Sequence, residues 1–368
     1  MDSRQHDDKQ HGRRDIVQTA EEAARQSAPP LLILERVEEF LDASGIGSGP
    51  VQARRIGEGQ SNVTFHLTRG GSAVVLRRGP RPPLPPSTHD MVREANIQSL
   101  LAPLGIPVPK ILAVCADADV LGVPFYLMDF VDGDVVTDQV PAHLDAPAQR
   151  RGTSEAAVDM LVRLHSVDIG HGDIAGIGRP DGYLKRQVSR FAALWDAGAV
   201  RDLPQVGQLG LWLEANRPDT QANAVIHGDY RLGNLMFARQ GPARVKSVLD
   251  WEMATLGDPL ADLGYLTATY AQAGTPSTLL ELTPVTAQPG YLDRSELAAR
   301  YNEHFGLDLA ALPWYQTLAL WKAAIFTEAI HMRWKHGERT GGEQFGAALE
   351  AGVPRLLETA AAHAARLP

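Results

Sequence analysis

A short polar segment between two apolar runs carries the residue types that phosphoryl transfer needs. The segment AVIHGDYRLGNLMF, residues 224 to 237, contains His227, Asp229 and Asn234. A carboxylate can accept or orient an attacking hydroxyl, and a nearby amide oxygen can help to hold Mg²⁺, which prefers hard oxygen ligands. Asp250 ends the next short apolar run, where a second metal ligand would stand. The pattern therefore predicts a magnesium-assisted phosphoryl-transfer site in this part of the chain.

The spacing H-x-D-x-x-x-x-N in this segment is that of the catalytic loop of protein kinases, with Gly228 where they carry arginine. The alternative interpretation is a polar loop with a capping aspartate. A second His-Gly-Asp triplet occupies residues 171 to 173, but Gly178 stands where the pattern requires the asparagine. Since its surroundings, IGHGDIAGIG, are typical of a glycine-rich turn, we assign that triplet to structure.

A glycine-rich connection between two predicted strands is the candidate phosphate-binding loop. It contains Gly57, Gly59, Ser61 and Asn62. Glycines let backbone N–H groups approach phosphates, and a serine hydroxyl adds a donor. Glycine-rich hairpin turns are common, so this feature alone is weak support for a nucleotide site.

The next strand and the helix after it supply an independent indication. Strand alternation places Val75 and Arg77 on one face, so that Val75 can line an adenine pocket and Arg77 can reach phosphates. Glu94 lies in an otherwise apolar helical stripe with Met91 and Ile97. An inward-facing carboxylate is costly unless it is paired, so we expect Glu94 to pair with Arg77. The alternative is a Glu94 that reaches solvent at the edge of the stripe.

The elements that must position these residues change in character along the chain. Strands are expected at residues 51–56, 62–68 and 73–77, near Val114 and at 125–131, with one interior helix ending near Leu101. Beyond Gly133 the periodicity is mainly helical. Helices are expected at residues 31–41, 154–165, 183–197, 206–215, 312–336 and 346–365. The sequence thus predicts an α+β protein in which a strand-rich small lobe precedes a helical large lobe, with no internal repeat.

Composition excludes several classes of protein. The chain has 368 residues, of which 44% are hydrophobic, a composition typical of globular proteins and not of disordered or fibrous ones. Its formal net charge of −9 argues against nucleic-acid binding. Cys115 is the only cysteine, which excludes an intramolecular disulfide. Without a signal-like or membrane-spanning apolar run, we expect a cytoplasmic protein that does not bind membranes.

These motifs together resemble the aminoglycoside phosphotransferase family of kinase-like enzymes. The resemblance covers roughly residues 50 to 340 and rests on HGDYRLGN, VLDWEMATLGDPLADLGYL, GEGQSN and VVLRRGP. Other stretches, such as HDMVREANIQSLL and VPFYLMDFVDG, are most similar to the branch that is fused to acyl-CoA dehydrogenases.

The resemblance implies a bilobal protein-kinase-like fold, with a small antiparallel-sheet N-lobe, a mainly helical C-lobe and ATP in the cleft. It implies that Asp229 is the catalytic base, that Asn234 and Asp250 hold magnesium, and that Asp262 braces the loop. A hinge that hydrogen-bonds adenine would comprise Met128, Asp129, Phe130 and Val131. The expected organisation is a disordered or weakly helical tail at 1–30, an N-lobe at 31–131 and a C-lobe at 132–368.

One departure from the family leaves two functions open. Arg77 replaces the lysine that grips phosphates, which affects nucleotide affinity and phosphate geometry. The leading hypothesis is a phosphotransferase that uses ATP, or GTP, with Mg²⁺ and acts on a hydroxyl of a small molecule. The alternative is a nucleotide-binding pseudokinase with a sensing or scaffolding role.

The identity of the acceptor is also open at this stage. The family name suggests a cationic aminoglycoside, whereas the fused branch suggests a hydroxyacyl thioester whose anionic part would contact the basic helix near Arg333. The alternative interpretation is that this basic segment is only a solvent-exposed helix face. His165 is expected to complete the core at the end of its helix.

Overall fold

Alternating apolar residues form the first sheet as the sequence predicts. The computed structural model describes residues 14–57, 62–82, 89–198, 201–336 and 343–367. The sheet has five strands: β3 (Gln52–Ile56), β4 (Val63–Arg69), β5 (Ser72–Arg78), β6 (Ile111–Cys115) and β7 (Phe125–Asp129). All neighbouring strands are antiparallel, and they lie in the order β3-β4-β5-β7-β6.

Each face of this sheet packs against a helix. Alternate residues of β4, such as Phe65 and Leu67, are buried on the face that packs against α2 (Leu34–Ala43). The opposite face presents Val75 and Met128, which lie on neighbouring strands and pack with α3 (Met91–Leu101). The sheet is therefore covered on both sides, and its second face holds the candidate adenine-binding residues.

The N-terminal segment contains more regular structure than the expected tail. Within residues 14–30 the chain forms β1 (Ile16–Val17) and α1 (Ala20–Ala24), and β1 pairs in parallel with β2 (Leu32–Ile33). Fully buried Arg78 donates hydrogen bonds to the backbone carbonyl groups of Leu31 and Leu121, and burial lowers the pKa of its guanidinium to about 10. Buried Arg78 thus holds the chain at Leu31, immediately before β2. No local sequence pattern reveals this contact. Residues 1–13 lie outside the described part of the chain.

The second part of the chain is mainly helical. Contacts divide the chain into two compact units, one of residues 1–103 and 108–131 and the other of residues 104–107 and 132–368. The helices are α4 (Ala118–Leu121) in the first unit and, in the second, α5 (Pro147–His165), α6 (Tyr183–Gly198), α7 (Pro204–Ala215), α8 (Leu260–Thr269), α9 (Arg294–Phe305), α10 (Leu312–Lys335) and α11 (Glu343–Ala364). The predicted helices are present, although α5 begins earlier than expected, with a proline in its first turn.

Short strands of the second unit frame the segment that carries the candidate chemistry. They are β8 (Asp134–Val135), β9 (Ala224–Ile226), β10 (Leu235–Phe237), β11 (Val245–Val248) and β12 (Thr255–Gly257). Strand β9 pairs with β12, and β10 lies between β11 and β8. Helix α10 contributes the buried side chains Trp314 and Trp321 to the core of this unit and packs against α6, α7, α8 and α11. The predicted α+β fold class is confirmed.

No helix in the described ranges combines the length and apolar character that a membrane span requires.

Candidate functional site

The loop between β9 and β10 is held in a conformation that requires glycine at its second position. Gly228 has a φ of +85°, and a Cβ there would lie 2.8 Å from the Met253 Cβ and 2.9 Å from the Met253 carbonyl oxygen. Because of the left-handed backbone and the close contact, any residue larger than glycine at position 228 would lower the stability of the fold. The glycine that departs from the kinase pattern is therefore dictated by the local packing.

The Asp229 carboxylate is held by three other side chains. The Asn234 amide donates hydrogen bonds of 2.8 Å to Asp229 Oδ2 and to the Asp229 backbone oxygen. The Nε atom of Arg231 lies 3.6 Å from Asp229 Oδ1. The Tyr265 hydroxyl, from α8, lies close to the same carboxylate, and burial raises the pKa of Tyr265 well above its ordinary value, with Asp229 adding to the shift. Asp229 is thus oriented and only partly accessible.

A buried carboxylate on α8 holds the loop by accepting two of its backbone N–H groups, as the resemblance implied. Asp262 Oδ2 accepts the backbone N–H of His227 at 2.7 Å, and Oδ1 accepts that of Gly228 at 2.8 Å. The Nε2 atom of His165 lies 3.3 Å from Oδ2, and the other ring nitrogen of His165 hydrogen-bonds to the Tyr301 hydroxyl. Burial alone would raise the pKa of Asp262, but the hydrogen bonds from His165 and His227 hold that pKa below its usual value.

The His227 imidazole is buried and hydrogen-bonds to backbone groups. Its ring is fully buried and packs 4.8 Å from the Trp251 ring. The Nδ1 atom accepts the backbone N–H of Asp229 at 3.2 Å, so the proton lies on Nε2, which donates to the Leu249 carbonyl oxygen at 2.9 Å. The sequence names His227 among the candidate catalytic residues, and in the structure its ring accepts the backbone N–H of the candidate base Asp229.

Asp250 follows β11 and has an unusual backbone conformation. Its φ is +66°, in the left-handed region that aspartate tolerates better than most residues. Within the described residues, no cluster of three or more His, Cys, Asp or Glu side chains could hold a metal ion. Because the amide nitrogen of Asn234 donates to Asp229, the amide oxygen of Asn234 does not face the Asp229 carboxylate. Amide and carboxylate oxygens such as those of Asn234 and Asp250 are ligand types that Mg²⁺ accepts, with phosphates and water completing the set.

In the first unit, Arg77 and Glu94 form the expected pair. Arg77 Nε lies 3.0 Å from Glu94 Oε1, and the Glu94 side chain is 1% exposed. Tyr126 lies nearby, and burial together with the Glu94 charge raises the pKa of its hydroxyl, which hydrogen-bonds to Gln98. The prediction of an ion pair at this position is confirmed.

The glycine-rich connection is described only in part. Gly57 has a φ of +71° and an open environment, consistent with a tight turn, whereas Gly59 and Ser61 lie outside the described residues. Asn62 is buried, and its Oδ1 atom lies 2.8 Å from the His89 Nδ1 atom. Asn62, which the sequence places among the nucleotide-binding residues, is therefore held beside His89 immediately before β4.

The predicted adenine-contacting residues differ in exposure. Val75 and Met128 are buried and pair across β5 and β7, while Asp129 and Phe130 are exposed and Val131 is partly exposed. The backbone N–H of Asp129 donates to the Lys110 carbonyl oxygen at 2.9 Å.

Two residues beside Asp229, Arg231 and Tyr265, were missed from the sequence, as was the contact of His165 with Asp262. Arg231 lies inside the recognised motif, and its position two residues after Asp229 was the available signal. Tyr265 and His165 reach the site from helices α8 and α5. No local periodicity distinguishes such side chains from ordinary core residues.

This arrangement is that of a kinase-like phosphotransferase, and comparison with known proteins agrees. The profile of the phosphotransferase enzyme family matches residues 52–298. The chain belongs to this family.

Several similar proteins are acyl-CoA dehydrogenase family members, in agreement with the resemblance to the branch that is fused to acyl-CoA dehydrogenases. Acyl-CoA dehydrogenase family member 11 from Gallus gallus is 42% identical over 224 residues, which are 61% of this chain and 28% of that protein. The Homo sapiens protein of the same name is 35% identical over 296 residues, 78% of this chain and 37% of that protein. The chain therefore spans only about a third of the length of these relatives.

Solved structures share the fold. A crystal structure from Ralstonia eutropha, provisionally named an aminoglycoside phosphotransferase, has a TM-score of 0.73 and 28% identity, covering 91% of this chain and 98% of that one. A spectinomycin phosphotransferase in complex with ADP and its antibiotic has a TM-score of 0.58 and 11% identity, covering 90% of this chain and 98% of that one. The latter likeness concerns the fold alone.

Proposed function

We propose that this chain transfers the terminal phosphoryl group of ATP to a hydroxyl of a small molecule, with Mg²⁺ bound by Asn234 and Asp250. The observation that carries the proposal is the Asp229 carboxylate, which Asn234, Arg231 and Tyr265 orient on a loop braced by buried Asp262. Such fixed geometry is what phosphoryl transfer requires, because its catalysis consists mainly of positioning and electrostatic stabilisation.

In this reaction the acceptor hydroxyl oxygen forms a bond to the γ-phosphorus, and the bond from that phosphorus to the β,γ-bridging oxygen breaks. Asp229 orients the hydroxyl and takes its proton, and ADP leaves. The magnesium ion would neutralise charge on the phosphates. Arg231, beside Asp229, supplies a further positive charge on the acceptor side of the loop.

The first unit contributes the nucleotide-binding residues of the proposal. Glu94 orients the Arg77 guanidinium, a planar fork that suits phosphate oxygens. Val75 and Met128 offer apolar contact to the base, and the backbone from Met128 to Val131 offers hydrogen bonds. The pseudokinase alternative has Arg77 as its support, but a scaffold has no physical need of Asp229, Asn234 and Asp250 together.

Two measurements test this function. Calorimetric titration with ATP should show appreciable binding with Mg²⁺ and weak binding in excess chelator, and equal affinity in both would overturn the metal assignment. Transfer of labelled phosphate should then be measured on aminoglycosides, amino alcohols and hydroxyacyl thioesters. Binding of ATP without transfer to any hydroxyl would favour the pseudokinase.

A further inference from the structure

His89, which lies just before α3, has a backbone conformation that its surroundings must hold in place. Its φ is +56°, and among the described residues His89 and Asp250 are the non-glycine residues with a positive φ. Such a conformation costs free energy, persists only where neighbouring contacts fix it, and is concentrated at functional sites. Asp250 is a candidate metal ligand, so the same feature at His89 calls for a functional explanation.

The contact that fixes His89 reaches the end of the glycine-rich connection. His89 Nδ1 lies 2.8 Å from Asn62 Oδ1, and Asn62 is buried. Because an amide oxygen only accepts hydrogen bonds, the Nδ1 atom of His89 carries the donated proton. Asn62 directly precedes β4. This hydrogen bond therefore joins the point where the glycine-rich connection enters the sheet to the start of α3.

The same hydrogen bond closes a ring of contacts within the first unit. Thr64, two residues after Asn62, pairs with Arg77 on β5. Arg77 Nε lies 3.0 Å from Glu94 Oε1, and Glu94 lies in the first turn of α3, five residues after His89. We call these five residues the phosphate-side ring. It links the end of the glycine-rich connection to the arginine that the sequence assigns to phosphates.

The ion pair between β5 and α3 does not by itself fix the end of that connection. The pairing of β4 with β3 ends at Thr64, and its pairing with β5 ends at Val63. Asn62 lies one residue further along, outside both ladders. The hydrogen bond from His89 therefore holds a residue that lies beyond the sheet register.

We propose that His89 is a positioning residue for nucleotide phosphates, which holds Asn62 and thereby fixes the end of the glycine-rich connection relative to Arg77. The proposal rests on the proposed function, since that connection and Arg77 must be the groups that bind the phosphates of ATP. Backbone N–H groups bind phosphate oxygens only within hydrogen-bond distance, and a misplacement of about 1 Å loses much of the interaction. His89 acts through Asn62 and does not need to touch the nucleotide.

Substitutions at position 89 separate the hydrogen bond from the backbone strain. His89→Asn keeps a donor near the position of Nδ1 and tolerates a positive φ, whereas His89→Gly relieves the strain but removes the donor. Calorimetry measures the affinity for MgATP and, by competition, the affinity for adenosine, which lacks phosphates.

We expect His89→Gly to weaken MgATP binding about tenfold and to change adenosine binding by less than about twofold, because one hydrogen bond is lost on the phosphate side alone. His89→Asn should bind both ligands as the unmodified protein does. Asn62→Ala removes the acceptor of the same bond and should also weaken MgATP binding. The double variant Asn62→Ala with His89→Gly should lose no more affinity than either single variant, since both remove one interaction.

Asp117→Gly is the matched control. Asp117 also precedes a helix of the first unit, α4, and its side chain accepts the backbone N–H of Asp119 at 2.9 Å, but it is not part of the phosphate-side ring. The substitution likewise introduces glycine and removes a side-chain hydrogen bond. It should leave the affinities for MgATP and adenosine unchanged.

The outcomes separate this inference from the function on which it rests. Normal MgATP affinity in His89→Gly, or an equal loss of adenosine affinity, would overturn the role of His89, because a merely structural contact does not discriminate between the two ligands. A loss in His89→Asn as large as that in His89→Gly would do the same. An unmodified protein that binds no MgATP would instead overturn the proposed function and the inference with it.

Discussion

The same three residues, His-Gly-Asp, occur twice in this chain and form two different structures. At residues 171–173 the histidine side chain is 89% exposed and pairs with exposed Asp168. At His227 the ring is fully buried, and the loop backbone donates to buried Asp262. Both glycines have positive φ, so the sign of this angle does not distinguish the two copies.

What distinguishes them is the carboxylate that each copy contacts. Asp168 accepts the backbone N–H of Gly170, and this bond lowers the pKa of Asp168, but the group is surrounded by water. Asp262 is buried and accepts two backbone N–H groups together with a contact from His165. The loop at His227 is fixed because its N–H groups are satisfied by a buried acceptor that water does not replace, whereas the turn at His171 lies in solvent.

The largest effect is expected from removing that buried acceptor. Asp262→Asn would turn an amide NH₂ toward one of the two backbone N–H groups and leave it unsatisfied. We expect the free energy of unfolding to fall by about 3 to 5 kcal/mol, since several buried partners of a charged group are affected. Urea unfolding measures this change.

Asp168→Asn is the control for that substitution, because Asp168 also accepts a backbone N–H beside a His-Gly-Asp triplet. Its unfolding midpoint should match that of the unmodified protein. Equal losses in the two variants would show that burial of Asp262 is not what fixes the loop.

The next effect concerns activity and separates the two aspartates of the triplets. Asp229→Asn should leave MgATP affinity nearly unchanged while the transfer rate falls by about 10²-fold or more, the range for losing a positioned base. Asp173→Asn should leave the rate unchanged, because Asp173 is exposed at the start of a short 3₁₀ turn. Similar rates in the two variants would contradict the choice of catalytic loop.

The glycines of the two triplets provide a smaller, structural contrast. Gly228→Ala adds a Cβ against Met253 as well as backbone strain, so we expect a loss of about 2 kcal/mol in the free energy of unfolding. Gly172→Ala meets no atom within 4 Å of the added Cβ, but its φ of +70° and ψ of −167° lie in a region that essentially only glycine occupies, so we expect a loss of about 1 to 3 kcal/mol from backbone strain alone. A free energy of unfolding that Gly228→Ala leaves unchanged would contradict the close contact with Met253.

The smallest effect is the pH dependence of the buried carboxylate. The folded state holds the pKa of Asp262 below its usual value of about 3.9, so its stabilising contribution is complete above about pH 4. It is lost as the pH falls through the lowered pKa. The stability difference between the unmodified protein and Asp262→Asn should be constant from pH 7 to 5 and shrink toward pH 3, as urea unfolding at each pH would show. A difference that grew on acidification would contradict this sign.

Much of the architecture could be predicted because it depends on local patterns. Alternation in β4, the apolar spacing of α2 and the strand at Ala224–Ile226 are each visible within a few residues. The Arg77 and Glu94 pair was also predictable, since a carboxylate on a buried helix face requires a partner of opposite charge.

The sequence by itself determined the α+β class and identified the motif at His227 to Asn234 on which the proposed catalytic loop rests. Tertiary structure alone decided that Asn62 is buried beside His89 and that Tyr265 lies close to Asp229. The physical reason is that propensity and periodicity act over one or two turns of chain. His227 and Asp262, by contrast, are 35 residues apart, and Ser154 and Tyr270 are 116 apart. Such partners are selected only when the whole core packs.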